Sequence, residues 1–385
     1  MIGIEIVIFA IKLFVVFNII MGMASFCTWV ERKGSALIQD RVGANRAGAF
    51  FDFDLGIVKS FLPSALKPLA LPLFVGLLPV VMGIKFAGKL GIINTLVNDA
   101  VKALFKEDFV PEGVSNFMHS LAPFLAVLPV FVAFAIIPLA PEFTVFGINI
   151  RPQLAPIEVG ILFFLAMGSV AVYGVALAGW TGNNKYSLLG ALRAAAQMIS
   201  YELALGISVV TVIIYFATPD LFKIVEAQKG SILNWGVFQS YGTGLIAMII
   251  FFIAGMAETK RAPFDLPESE SELVAGYFTE YSGMKFLLFW LGEFAEIALF
   301  SLILSVMFFG GWHIPFVELP QGVWWAALIG HVVLMTKVVF LCVLQIVIRW
   351  TLPRFRYDQL MNLGWKFLLP LSMCNLVVAA FLRLI

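Results

Sequence analysis

The 385-residue chain is too apolar for a water-soluble enzyme: 61% of its residues are hydrophobic, 13% are charged, and its mean hydropathy is +0.98. An ordinary soluble domain is about 45–50% apolar and about 25% charged, so too little polar surface exists here to face water. The chain is therefore a polytopic membrane protein. Its net charge of +1, from 25 basic and 24 acidic residues, gives no indication of nucleic-acid binding.

Eight segments are long and apolar enough to cross the hydrocarbon core of a membrane, which takes about 20 residues in a helix. The first follows Met1 with no basic leader and no small-residue cleavage site after it, so we expect it to be retained. The sequence predicts an all-α polytopic membrane protein, with a single membrane domain over residues 1–385. The eight predicted spans are about 4–30, 117–139, 157–180, 190–217, 241–257, 284–309, 324–350 and 364–384.

A ninth apolar stretch, 61–93, contains four prolines and four glycines, a density that breaks a straight helix. It lies in an apolar insertion, 50–92, which we expect to form a hairpin of two helices or a re-entrant segment shielded by protein. We expect this insertion to serve packing or lipid contact and no chemistry. Apolar residues then recur at helical spacing over 94–106, which predicts an amphipathic surface helix.

Basic residues are divided unevenly between the two sets of loops. One set contains 19 Lys and Arg residues and the other contains 4, while Lys12 and Lys337 lie inside spans. Because cytoplasmic loops are enriched in Lys and Arg, both termini are predicted on the non-cytoplasmic side. This orientation requires that the stretch 61–93 cross the membrane zero or two times. The basic set comprises residues 31–116, 181–193, 258–285 and 349–366.

The cysteines and histidines show no spacing typical of metal ligands, so we expect no bound metal, iron–sulfur cluster or disulfide. They are Cys27, Cys342, Cys374, His119, His313 and His331.

Acidic residues concentrate near the sixth predicted span, where eight of the 24 acids fall within residues 258–296. One interpretation is a charged loop with a capped helix, since Ser269-x-x-Glu272 fits a capping box. That interpretation fails for Glu293 and Glu296, which lie three residues apart inside the span. A carboxylate within a bilayer is costly unless it is paired, hydrated or protonated, which indicates a functional site. The eight acids are Glu258, Asp265, Glu268, Glu270, Glu272, Glu280, Glu293 and Glu296.

The fourth predicted span carries Arg193 and, nine residues further on, Glu202, which places them on opposite faces of a helix. Glu202 therefore needs another partner, water or a proton. Arg193 is alternatively a snorkelling residue at the cytoplasmic interface, and Glu202 is alternatively a structural acid. The sequence leaves four further roles open, those of Glu158, Glu296, His331 and Lys337.

Several motifs resemble those of one family, the H subunit of respiratory complex I, NADH–quinone oxidoreductase. Its hallmark stretch resembles residues 179–202, GWTGNNKYSLLGALRAAAQMISYE. Residues 257–276, AETKRAPFDLPESESELVAG, are similar to its second hallmark, and 31–45 and 105–111 also fit. The chain departs from the family at Lys260, where Asn is usual, and at Glu296, where Asn or a neutral residue is usual.

This resemblance implies a membrane subunit that forms the quinone-access chamber and the start of the proton path coupled to quinone reduction. It implies a multi-pass protein of the bacterial inner membrane that binds no redox cofactor and is not catalytic alone. Quinone would be a substrate, and FMN and iron–sulfur clusters would belong to partner subunits of the complex.

Matching motif positions assigns two groups of residues. The proton path would comprise Glu202, Glu258, Glu268, Glu270, Glu272, Glu280 and Glu293. The quinone chamber would be bordered by Gln39, Arg41, Arg193, Arg261, Phe264 and Asp265.

Two other classes of protein remain as alternatives. One is the membrane anchor of a related energy-converting hydrogenase, in which we would expect the loop 261–272 to be reduced or altered. The other is an independent ion transporter, against which the missing internal repeat counts.

Overall fold

The structure is a computed structural model that describes residues 2–43, 99–145, 147–317, 320 and 322–384. In these ranges eight helices are long and apolar enough to cross a membrane, which confirms the predicted all-α membrane architecture. The chain divides into two compact units, one of Met1–Cys27 with Glu107–Ile385 and one of Thr28–Lys106. The predicted insertion at 50–92 lies outside the described residues.

The helices overlap all eight predicted spans, but α1 ends eight residues beyond the predicted 30 and the eighth span begins seven residues before the predicted 364. They are α1 Ile2–Ile38, α2 Asp99–Phe105, α3 Asn116–Ala133, α4 Gly160–Thr181, α5 Lys185–Phe216, α6 Leu221–Ala227, α7 Thr243–Glu258, α8 Glu270–Leu273, α9 Gly283–Phe308, α10 Trp324–Thr351, α11 Tyr357–Asn362 and α12 Leu369–Leu384. A π-helical turn, Leu363–Leu368, joins α11 to α12, so that together they form the eighth span. A short hairpin pairs β1, Phe143–Val145, antiparallel with β2, Ile148–Ile150.

The smaller unit contains the described part of the predicted surface helix. There α2 covers residues 99–105 of the predicted 94–106, and Asp99 at its first turn forms a 2.6 Å ion pair with Arg32 of α1. A carboxylate at a helix N-terminus is favourable because it opposes the partial positive charge of the unpaired amides.

Helix α9 is the centre of the larger unit. All of its residues from Gly292 to Phe308 are buried, whereas α1 and α12 are mostly exposed along their apolar sides. Packing against α3, α7 and α10 surrounds it. Apart from Glu293 and Glu296, the side chains of this stretch are apolar or small, so that packing buries them at little cost.

The loops of the larger unit meet at two opposite ends of the helix bundle. At one end Asn184 Nδ2 donates to Glu280 Oε1 at 2.8 Å, and the Phe355 amide donates to Pro263 O at 3.1 Å. At the other end Gln228 Nε2 donates to Val306 O at 2.9 Å. The loops at 182–184, 259–282 and 352–356 therefore share one end, which is the pairing that the predicted topology requires.

Helices α3 and α4 approach closely because α4 has a glycine at the contact. A Cβ at Gly174 would lie 2.3 Å from the Ala126 amide nitrogen, a distance that no side chain tolerates. Small residues at such contacts let helix backbones pack directly in a membrane.

Gly174→Ala should therefore destabilise the protein by about 1–3 kcal/mol, because the helices must separate to accommodate one methyl group. Thermal unfolding of the purified protein measures the effect. Gly206→Ala is the matched control, since a Cβ at Gly206 in α5 meets nothing within 4 Å. Equal unfolding temperatures for the two variants would contradict the packing argument.

Candidate functional site

The polar loop 259–282 connects α7 to α9 and is fixed against the end of the bundle. Gln197 of α5 is fully buried, and its Nε2 donates to Ala257 O at 2.7 Å and to Phe264 O at 2.8 Å. Gly276 adopts a positive φ of 61°, and a Cβ there would lie 1.8 Å from Pro267 O. The loop thus turns back on itself and holds its charged residues in fixed positions.

Two consecutive cations at the start of this loop face the two acids of α9. Arg261 Nη2 lies 3.7 Å from Glu293 Oε2, and Lys260 Nζ lies 3.7 Å from Glu296 Oε2. All four side chains are buried. The sequence indicates a costly pair of carboxylates in this span, and the structure supplies a cation for each of them.

The Glu293 carboxylate has a second partner in the loop. The Tyr277 hydroxyl donates to Glu293 Oε1 at 2.7 Å, and the Arg261 guanidinium lies 4.2 Å from the centre of the Phe294 ring. Burial, followed by the charges of Glu293 and Glu268, raises the pKa of Tyr277 above its ordinary value. Its hydroxyl therefore remains a proton donor at neutral pH.

Two further acids, Glu258 and Glu202, lie between Glu296 and α4. The Glu258 carboxylate interacts electrostatically with Glu296 and with Glu202. The Ser169 hydroxyl of α4 donates to Glu202 Oε1. A cavity of about 20 Å³ lies between α3, α4 and α9, with Glu258 and Glu296 as its two acids and apolar side chains on its other walls.

Asp265 and Glu268 lie at the loop side of Glu293. Burial raises the pKa of Asp265 to about 6, although the Arg354 guanidinium 3.1 Å away acts in the opposite direction. Burial, with the neighbouring Glu293 carboxylate, raises the pKa of Glu268 well above its ordinary value. Both acids therefore lose their protons at a higher pH than an exposed carboxylate does.

Lys260 remains charged despite its burial. Desolvation works to lower the pKa of its ammonium group, but four surrounding carboxylates outweigh burial and raise it above its ordinary value. These carboxylates belong to Glu258, Glu268, Glu293 and Glu296.

The predicted site residues are not all brought together. Arg193 lies at the surface, where its Nη1 contacts Glu272 Oε2 at 2.8 Å, and it faces away from Glu202 as the helical spacing predicts. Glu280 accepts a hydrogen bond from Asn184, and Glu270 begins α8. Gln39 and Arg41 lie in the smaller unit, where Arg41 Nε donates to Gln39 Oε1 at 2.7 Å.

The predicted capping box at Ser269 is wrong. Its side chain makes no capping hydrogen bond, and its hydroxyl instead accepts from Arg354 Nη1 at 3.2 Å. The Arg354 guanidinium, which arrives from the loop after α10, thus bridges Ser269 and Asp265. The Ser269 hydroxyl thus pairs with a charged donor that is distant in the sequence and not with a backbone amide of α8.

Phe264 is a packing residue in this structure. Its ring is buried and lies 5.7 Å from that of Tyr201 and 5.5 Å from that of Phe355. It joins the loop to α5 and to the segment after α10.

The other residues whose roles the sequence leaves open lie apart from this site. Lys337 Nζ donates to the carbonyl oxygens of Phe309, Gly311 and His313 at 2.8 to 2.9 Å, so it holds the segment that follows α9. A nitrogen of the His331 ring, Nδ1, lies 3.1 Å from Leu139 O. Glu158 is exposed.

Sequence reasoning missed the partners of the acids. Ser169, Tyr277 and Arg354 are common residue types without a motif, and Arg354 is 89 positions from Asp265. The departures at Lys260 and Glu296 were the available signal, because an added cation and an added acid in one region suggest a pair. The structure shows that they face each other.

The fold and site define an all-α membrane protein in which carboxylates, most of them buried, lie in a row against a polar loop. Residues 75–380 match the family described as NADH dehydrogenase. Among the described residues, no group of three or more His, Cys, Asp or Glu is arranged to hold a metal ion.

Relatives that match over nearly their whole length are named as subunits of NADH-quinone oxidoreductase. The chain is 39% identical to an NADH-quinone oxidoreductase H subunit of Geobacter metallireducens over 384 residues, 100% of the chain and 99% of that protein. It is 41% identical to an NADH-quinone oxidoreductase H subunit of Syntrophobacter fumaroxidans, over 95% of the chain and 93% of that protein. For the NADH-quinone oxidoreductase subunit 8 of Rhodothermus marinus the identity is 40%, over 96% of both. The chain belongs to this family, the membrane H subunits of NADH–quinone oxidoreductase.

The raised pKa of Asp265 predicts a pH dependence of stability. Its folded-state pKa of about 6 exceeds that of an unfolded aspartate, so its stabilising contribution is complete below about pH 4. That contribution is lost as the pH rises through about 6. Asp265→Asn removes the titration, so the unfolding temperature of this variant should fall less between pH 5 and pH 7.5.

Thermal unfolding of the purified complex at the two pH values tests this expectation. The matched control is Asp358→Asn, which changes an exposed aspartate paired with Arg356. An unchanged pH dependence in Asp265→Asn would show that this aspartate does not carry the effect.

Proposed function

We propose that the chain forms the quinone-access chamber of NADH–quinone oxidoreductase and the start of its proton path. The observation that carries this proposal is a row of acids in two groups, Asp265, Glu268 and Glu293 at the loop end and Glu258 and Glu202 towards α4. Arg261 and Asp265 border the chamber at the loop end of the row. Quinone is named by the relatives as the acceptor of the whole enzyme.

The chemistry of quinone explains why such a row is useful. Reduction of a quinone to a quinol takes up two electrons and two protons, which changes the charge in the chamber. Asp265 and Glu268, whose pKa values are raised, respond to that change by gaining or losing protons. The acids in the spans then carry the charge change into the membrane domain, where a charged carboxylate is costly unless it is paired.

Electrons reach the quinone from partner subunits in this proposal. FMN and iron–sulfur clusters in those subunits would supply the redox chemistry, while this chain binds and orients the quinone and moves protons. Relatives named as subunits of one oxidoreductase imply other complex I subunits as partners.

The orientation predicted from basic residues places the chamber end at the cytoplasm. The loops that meet at this end, 182–184, 259–282 and 352–356, belong to the Lys- and Arg-rich set. Positive residues are retained on the cytoplasmic side during insertion, so both termini lie on the opposite side.

Cysteine labelling tests this orientation. Lys185→Cys and Asp358→Cys should react with a membrane-impermeant maleimide in inverted vesicles, and Leu233→Cys only in intact spheroplasts. All three positions are exposed. The background carries Cys374→Ser, because Cys374 is the exposed native thiol among the described residues. Labelling of Leu233→Cys in inverted vesicles would reverse the proposed orientation.

Glu202→Gln tests the proton path. The amide keeps the size of the side chain and a hydrogen-bond acceptor for Ser169, but it does not titrate. A purely structural acid tolerates this change, since a neutral amide is less costly to bury than a carboxylate. We expect a normally assembled complex whose quinone reduction and proton pumping both fall by about tenfold or more.

The measurement compares quinone reduction and membrane potential in vesicles with equal amounts of assembled complex. Glu158→Gln is the matched control, since Glu158 is exposed just before the helix that carries Ser169. Near-normal values for Glu202→Gln in both assays would remove Glu202 from the proton path.

A further inference from the structure

We propose that Glu296 is an additional proton-relay acid that connects Glu293 to Glu258, with Lys260 as its fixed counter-ion. This inference rests on the proposed proton path and adds to it a link that the family resemblance does not assign. Without that link, the acids of the loop end and the acids near α4 form two separate groups.

The position of Glu296 favours this role. It lies three residues after Glu293 on the buried face of α9, and its carboxylate interacts electrostatically with Glu293 and Lys260. The Glu258 carboxylate interacts with Glu296 on one side and Glu202 on the other. Glu296 therefore faces both groups of acids.

The cavity beside Glu296 provides the physical connection to Glu258. Its volume of about 20 Å³ exceeds the minimum of about 10–15 Å³ for one water molecule. Its walls are apolar apart from the two carboxyl groups, among them Phe164, Met198 and Leu299. A water there has one carboxyl group on each side and is held by both.

Lys260 stabilises an ionised Glu296 in this apolar surrounding. Its side chain is only 3% exposed, and its ammonium lies 3.7 Å from Glu296 Oε2, a distance at which charge attracts without a short hydrogen bond. The raised pKa of Lys260 keeps it positively charged. Glu296 can therefore release a proton and later regain one, while Lys260 remains a constant charge.

Each transfer conserves protons. When Glu293 is protonated, its proton passes to the Glu296 carboxylate, which leaves Glu293 ionised and Glu296 neutral. Glu296 then gives its proton to the cavity water as that water gives one to the Glu258 carboxylate. The water is unchanged, and one negative charge has moved from Glu258 to Glu293.

Three variants of the assembled complex separate a relay acid from a structural counter-ion. Glu296→Gln removes the titrating group but leaves the Lys260 ammonium without its ion-pair partner. The double variant Lys260→Gln with Glu296→Gln removes both charges and so relieves that cost. Glu296→Asp retains an acid. The measurements are quinone reduction and membrane potential in vesicles with equal amounts of complex, and Glu142→Gln, a half-exposed acid at the other end of the bundle, is the control.

We expect proton pumping to fall by about tenfold or more in both Glu296→Gln and the double variant, with partial recovery in Glu296→Asp. Recovery of pumping in the double variant would show that Glu296 only balances Lys260 and would overturn the inference. Loss in Glu202→Gln together with normal pumping in Glu296→Gln would overturn the inference and leave the proposed function intact. Normal pumping in Glu202→Gln would instead count against the proposed function.

Discussion

The structure depends on the cost of placing carboxylates in a helix that is buried among other helices. Glu293 and Glu296 lie in α9, which is buried on every side by α3, α7 and α10. An unpaired charge in such a position costs several kcal/mol, so the chain has to bring cations to this helix from elsewhere. The loop 259–282 does this.

The fit between loop and helix follows from simple spacing. Adjacent loop residues, Lys260 and Arg261, meet acids three positions apart on α9, where an interval of three residues keeps side chains on one side. Gln197 fixes the loop by its backbone carbonyls, so the cations are held by hydrogen bonds as well as by charge. Loss of the loop conformation would therefore leave two buried acids in an apolar surrounding without their cations.

Hydropathy alone predicted the eight spans, because the length of a membrane helix and its lack of charge are local properties of the sequence. The acids inside the spans were equally visible, since each one violates the apolar pattern. Helical spacing also placed Arg193 and Glu202 on opposite faces, which the structure confirms through their partners Glu272 and Ser169.

The pairing of these acids was not predictable in the same way. Arg354 reaches Asp265 from a loop two spans further along the chain, and no local pattern encodes that contact. The alternative interpretation of a cap at Ser269 is wrong, and its hydroxyl accepts a hydrogen bond from the distant Arg354. Periodicity predicts which side of a helix is polar, but tertiary packing decides what the polar side meets.

The three hydrogen bonds from Lys337 hold the segment that directly follows α9. The middle of the helix is held by the ion pairs of Glu293 and Glu296 with the loop. A rod fixed at two points along its length resists sliding along its axis. A carboxylate on this helix that changes charge therefore acts on a rod that is held in register with its neighbours.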